Sequence, residues 1–138
     1  MAIYGTGIDI VEIERIEQAV SRHGEAFLAK LFTQAEREYC DAMPRPAIHY
    51  AARFAAKEAV AKAFGTGIGR DLGLLDMEIH RHESGRPLLS LTGAGRRFAG
   101  EKGIAIVHIS LSHDKNHAVA SAVAETANVS GELYCQGG

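Results

Sequence analysis

Cysteine is scarce. The chain has two, Cys40 and Cys135, with no CxxC pair and no metal-ligand spacing. A disulfide framework is therefore not expected, and a reducing compartment is the default. Long apolar runs are missing too; none approaches the roughly 20 residues of a membrane span. The N-terminal stretch MAIYGTGIDIVEIE is apolar but broken by Asp9 and Glu12, and it lacks a basic segment, so it does not read as a signal peptide. The expected location is the cytoplasm. No strong charge of one sign is present. The formal net charge is −2, which speaks against nucleic acid as the main partner. No repeat occurs at solenoid spacing.

What remains is an ordinary globular composition, 46% hydrophobic and 23% charged over 138 residues, the length of one domain. The charge is uneven along it. Between Asp41 and Arg70 the cations Arg45, Arg53, Lys57, Lys62 and Arg70 face only Asp41 and Glu58, so this stretch suits an anion.

Periodicity predicts a strand over 2–13, a helix over 12–24 closed by Gly24, and a short helix over 25–32. Thr33 and Glu36 have capping-box spacing and open a helix over 33–43. Pro44 and Pro46 bound it and start a long helix that runs to about Phe64. The segment 65–73 is a glycine-rich loop. Two strands follow in 74–92 about a Ser84-Gly85 turn, then a short helix over 92–103. A hairpin joins 104–114 to 117–125 around Asp114, Lys115 and Asn116. Residues 126–138 read as a loose tail beyond a domain at 1–125. Tight hairpins and partly segregated helices predict an α+β fold with an antiparallel sheet.

Four groups of residues carry possible chemistry. In RFAAKEAVAKAFG, Arg53 and Lys57 are four apart, as are Glu58 and Lys62 about 100° further round the helix. The plain reading is a surface ion pair between Glu58 and Lys62; the functional one is an anion site with a metal-binding carboxylate. A Mg²⁺ site uses one or two carboxylates with waters and phosphate oxygens. Asp9, alone among apolar neighbours in GIDIV, is the candidate second acid; otherwise it points to water at a strand end. In HISLSHD, alternation prevents His108, Ser110, Ser112 and His113 from sharing one face. Ser112 and His113 suit phosphate or ribose contacts, or plain structural roles. A Ser/His hydrolase lacks support, since no GxSxG elbow is present. The SGRP turn projects Arg86 before Pro87. GTGIG is no phosphate loop, because it lacks GK[ST] and follows its helix. His80 and His82 share a strand face with no third ligand and read as surface.

GIDIVEIERI, RFAAKEAVAKAFGTGIG, ESGRP and HISLSHD occur in this order. Together they resemble the 4′-phosphopantetheinyl transferase family in its small bacterial type, the holo-[acyl-carrier-protein] synthases, over about residues 3–124. The resemblance implies a homotrimer with active sites at subunit interfaces. It implies transfer of 4′-phosphopantetheine from coenzyme A to a serine of apo acyl carrier protein, in support of fatty acid biosynthesis. It places Asp9 and Glu58 on Mg²⁺ and Lys62 at the diphosphate or the reacting hydroxyl. Arg53 and Lys57 match coenzyme A phosphate positions, with Arg45 adding to the field. His113 matches a position near the 3′-phosphate, with Ser112 beside it, and Arg86 with Pro87 matches a turn that contacts coenzyme A. Arg15, Arg22 and Lys30 would dock the acidic carrier, diluted here by Glu14, Glu17 and Glu25. The alternatives on residues alone are a metal-dependent diphosphate hydrolase and a non-catalytic nucleotide-binding module.

Overall fold

Residues 1–127 are described by the structure, a computed structural model. Strand β1 (Ala2–Glu12) leads into α1 (Ile13–Leu31). Gly24, at φ 63° and ψ −147°, breaks α1 into two helical pieces, so the two helices expected on either side of it are present. Helix α2 (Gln34–Asp41) is opened by the Thr33–Glu36 capping box. Helix α3 (Pro46–Phe64) begins on its proline and ends at Gly65, whose φ of 77° favours glycine. A single 3-10 turn (Leu74–Asp76) precedes the hairpin of β2 (Met77–Arg81) and β3 (Pro87–Leu91). Helix α4 (Gly93–Lys102) and a second hairpin, β4 (Ile104–His113) with β5 (His117–Thr126), complete the described chain.

The fold is α+β, and every strand pairing is antiparallel. The strands form two sheets instead of the one expected. A three-stranded sheet runs β1-β5-β4, and β2-β3 stand apart. Strand β5 extends to Thr126, one residue past the expected domain end. Apart from Thr126 and Ala127, the expected tail lies outside the described residues, Cys135 included. The other cysteine, Cys40, is buried, and burial pushes its thiol up to about 12, which leaves it inert at neutral pH.

Helix α3 lies between the three-stranded sheet on one side and α1, α2 and β2 on the other. Small side chains let it come close to the sheet. Ala118, Ala120, Ala122 and Ala124 of β5 are buried, as are Ala55, Ala56, Ala59 and Ala63 of α3. Strand β1 approaches further still. A Cβ on Gly5 would stand 2.1 Å from the carbonyl oxygen of Ala63, and one on Gly7 would stand 1.9 Å from that of Ala59. No side chain fits at either position, so these glycines set the distance between β1 and α3.

Between Tyr50 and Phe64 only Phe54, Glu58 and Lys62 of α3 escape burial. At i, i+4 and i+8 they form one stripe along the helix. Arg53 and Lys57, expected on a second polar face, are interior. Lys57 donates to Glu36 Oε1 at 2.7 Å, Leu31 O at 2.8 Å and Leu74 O at 3.1 Å. Glu36 also accepts from the backbone N–H groups of Thr33 and Ile79, each at 2.9 Å. Burial pulls the Lys57 ammonium pKa down while Glu36 opposes that shift. The pair therefore ties together the ends of α1 and α2, the 3-10 turn and β2. Removing one partner of such a pair typically costs about 3–5 kcal/mol.

Candidate active site

Alternation along β1 decides where Asp9 points. Gly5, Gly7, Asp9 and Val11 share the side that faces α3, while Ile8 and Ile10 face away. Asp9 therefore looks toward the open stripe of α3 and not out from a strand end. Lys62 Nζ donates to Asp9 Oδ1 at 3.0 Å and to Ile8 O at 2.9 Å. The expected Glu58–Lys62 pair is thus replaced by one between Lys62 and Asp9. Glu58 lines the same cavity as Asp9, a space of about 370 Å³ also bounded by Phe54, Arg15, Glu12 and His117. Burial first, and then the negative charge of Asp9, push the Glu58 carboxyl above its ordinary range; Lys62 acts against them.

Among the described residues no group of three His, Cys, Asp or Glu side chains converges. Two carboxylates from two rigid elements do converge. Their oxygens are hard donors, and Mg²⁺ takes one or two such groups and completes its shell with waters or phosphate oxygens. The mutual repulsion felt by Glu58 is what a bound cation relieves. The donor set fits the metal.

The remaining candidates lie elsewhere. Arg53, Lys57, Arg86, Pro87, Ser112 and His113 do not line that cavity. Lys57 is 0% exposed and saturated by its three acceptors, so the expected phosphate contact is corrected to an interior structural role. Arg53 is 1% exposed, its guanidinium packed 4.2 Å from the centre of the Tyr39 ring. Arg45 is held by Glu17 at 2.7 Å beside a polar cavity of about 450 Å³ that also takes in Lys115. Ser112 and His113 fall on opposite faces of β4, because Leu111 and His113 share the α3 side; they do not act side by side. The charges of Arg53, Arg81 and His113 all reach the His49 imidazole. Arg86 is exposed in the β2–β3 turn, where Gly85 adopts φ 88°. Arg15, Arg22 and Lys30 are exposed on α1, and Arg15 also borders the Asp9–Glu58 cavity. His80 and His82 are exposed and bond to Ser90 and Ser84.

Sequence reasoning missed the two spacer glycines, the Glu36 partner of Lys57, and the Tyr39, His49 and Arg81 cluster. The glycines left a signal: Gly5 and Gly7 recur at the strand period on the same side as Asp9. The partners of Lys57 and Arg53 come from distant segments and left none.

The α+β frame thus sets a strand acid against a helix that carries the second acid and a lysine one turn on. A family model described as 4′-phosphopantetheinyl transferase superfamily matches residues 5–122. The chain belongs to that superfamily, and it is a transferase. It is 46% identical over 123 residues to a holo-[acyl-carrier-protein] synthase of Syntrophus aciditrophicus, covering 89% of this chain and 96% of the relative. The crystal structure of the synthase from Neisseria meningitidis superposes with a TM-score of 0.85 at 35% identity, covering 90% of this chain and 99% of that one. That of the Helicobacter pylori synthase, solved in complex with coenzyme A, superposes with a TM-score of 0.78 at 34% identity, covering 87% and 99%.

Proposed function

We propose that the protein transfers 4′-phosphopantetheine from coenzyme A to a serine hydroxyl of apo acyl carrier protein, in a Mg²⁺-dependent reaction that serves fatty acid biosynthesis. The serine oxygen bonds to the pantetheine-side phosphorus of the diphosphate. The bond from that phosphorus to the bridging oxygen breaks, adenosine 3′,5′-bisphosphate leaves, and the serine proton is lost. The observation that carries this reading is the shared cavity of Asp9 and Glu58, with Lys62 on Asp9.

Each residue has a task in this reading. Asp9 and Glu58 hold Mg²⁺, which when bound neutralises diphosphate charge. Lys62, 53% exposed at its side chain, turns from Asp9 to the diphosphate oxygens. Its donation to Ile8 O keeps it within reach of that position. Glu58, whose carboxyl is pushed up by its surroundings, can also take the serine proton. Arg86 and Pro87, at the exposed turn, and His113 meet the adenosine end, and Arg45 adds to the cationic field. Arg15 borders the cavity, so a carrier docked on Arg15, Arg22 and Lys30 delivers its serine to the metal side.

The same reading includes a homotrimer. The sheet face away from α3 leaves Ile8 63% and Ile10 62% exposed, with Ile3 and Ile106 also open. An apolar face of this kind favours association. His49, Arg53, Arg81 and His113 do not line the Asp9–Glu58 cavity of the same chain, which suits sites completed between copies.

The test incubates the protein with coenzyme A, Mg²⁺ and an apo carrier, then weighs the intact carrier. Gain of one phosphopantetheine group is expected, and Glu58→Gln is expected to slow it by at least about 100-fold. Cleaved coenzyme A beside an unmodified carrier would show hydrolysis instead. A normal rate for Glu58→Gln at limiting Mg²⁺ would remove the metal assignment.

A further inference from the structure

The acid cavity and the polar cavity beside Arg45 have two lining residues in common, Glu12 and His117. His117 is partly exposed and belongs to none of the sequence motifs. It stands at the first position of β5, opposite Glu12 at the last position of β1. The Ile13 N–H then donates to Asn116 O at 2.9 Å, which fastens the β4–β5 turn to the start of α1. The imidazole is thus fixed where β1 gives way to α1, in the wall of the cavity to which α1 contributes Arg15.

Asp114 holds the ring from the turn. Its Oδ1 accepts from the backbone N–H groups of Asn116 at 2.8 Å and His117 at 2.6 Å, and it lies 3.5 Å from His117 Nδ1. Those two N–H groups keep the Asp114 carboxyl below its ordinary range, so it is an anion at neutral pH. A carboxylate beside Nδ1 favours the proton there and leaves the lone pair on Nε2. Asp9, Glu12, Glu58 and Arg15 share the acid cavity with the ring. Glu14, Glu17, Arg45 and Lys115 share the polar one. Acids outnumber cations, so an imidazolium formed here finds counter-charge close by. Carboxylates given to Mg²⁺ have lone pairs committed to it, whereas the imidazole keeps its own. Imidazole is also the side-chain class that ordinarily exchanges protons near neutrality.

We propose that His117 is the general base of the transfer. Its Nε2 takes the proton of the carrier serine as the serine oxygen bonds to phosphorus. The bond from phosphorus to the bridging oxygen breaks, and its electron pair leaves with the bisphosphate. The imidazolium then returns the proton to water in the polar cavity, whose volume of about 450 Å³ has room for it. Asp114 is a positioning residue that fixes the tautomer. The assignment rests on the transferase reading above and deepens it, relieving Glu58 of the proton.

Rates of carrier loading from pH 5.5 to 8.5, at saturating coenzyme A and Mg²⁺, test it. Wild-type kcat is expected to fall on the acid side, where a protonated imidazole cannot accept. His117→Gln is expected to lower kcat at pH 7.5 at least about 100-fold, with KM for coenzyme A and for the carrier changing less than about threefold. Free imidazole added to His117→Ala is expected to restore at least about tenfold, which a merely structural role would not allow. Asp114→Asn is expected to lower kcat about tenfold and to move the acid limb to lower pH, because a negative charge beside the ring is lost. A kcat within about twofold of wild type in His117→Gln, no recovery with imidazole, or a wild-type kcat that is flat across the range overturns the assignment and leaves the transferase reading standing. A carrier left unmodified by the wild type overturns both.

Discussion

Lys57 and Glu58 are neighbours in the chain, yet one is sealed in the interior and the other lines the cavity. About 100° of helix rotation separates them. Sequence spacing located that rotation but not which of the two faces is open, because alanines surround both. The partner of Lys57 lies 21 residues earlier, at Glu36. His49 gives the residue scale its prediction. Its imidazole is held low, chiefly by burial, so the folded state resists protonation. Stability is therefore full above the unfolded value of 6.5 and is lost as pH falls below it. Melting temperatures measured from pH 8 to pH 5 should fall on the acid side in the wild type. The curve for His49→Gln should be flatter over that range; an identical acid slope would show that other groups set it.

At the scale of elements, β1 and α3 form the unit that matters. Strand parity aims Asp9 at α3, and the two glycines on the same side let the strand close in. Gly7→Ala is therefore expected to destabilise the fold by at least about 2 kcal/mol and to separate Asp9 from Glu58, with activity falling alongside. Gly100 on α4 is the control. It has open space around its Cβ direction, so Gly100→Ala should stabilise by about 0.5–1 kcal/mol. Denaturant midpoints of the two variants should move in opposite directions; movement in the same direction would contradict the close-approach argument. The elements themselves were largely legible. The Thr33–Glu36 box, the prolines before α3 and the alternation in β4 and β5 are local signals, and local signals place helices and strands well. That β2-β3 would stand apart from the other sheet was not legible, since local alternation is blind to which strands hydrogen-bond.

Over the whole molecule, the open face of the three-stranded sheet is the feature that the described residues of one chain leave without a cover. Its isoleucines are expected to be buried between copies. Ile8→Asn should shift the sedimentation mass from the trimer toward the monomer and remove most of the activity, while a wild type that sediments as a monomer would end the trimer proposal. The sites would then form where the acid cavity of one copy meets the cationic cluster of another.

By itself the sequence determined the α+β class, the order of the elements and the family, because capping, periodicity and contiguous motifs are written within short windows. It also singled out Asp9, Glu58 and Lys62. Tertiary structure alone decided which cations remain accessible. Accessibility depends on what packs against a helix from distant segments: Glu36 and Leu74 close over Lys57, Tyr39 covers Arg53, and Arg81, unremarked in the sequence, is left exposed over the same ring.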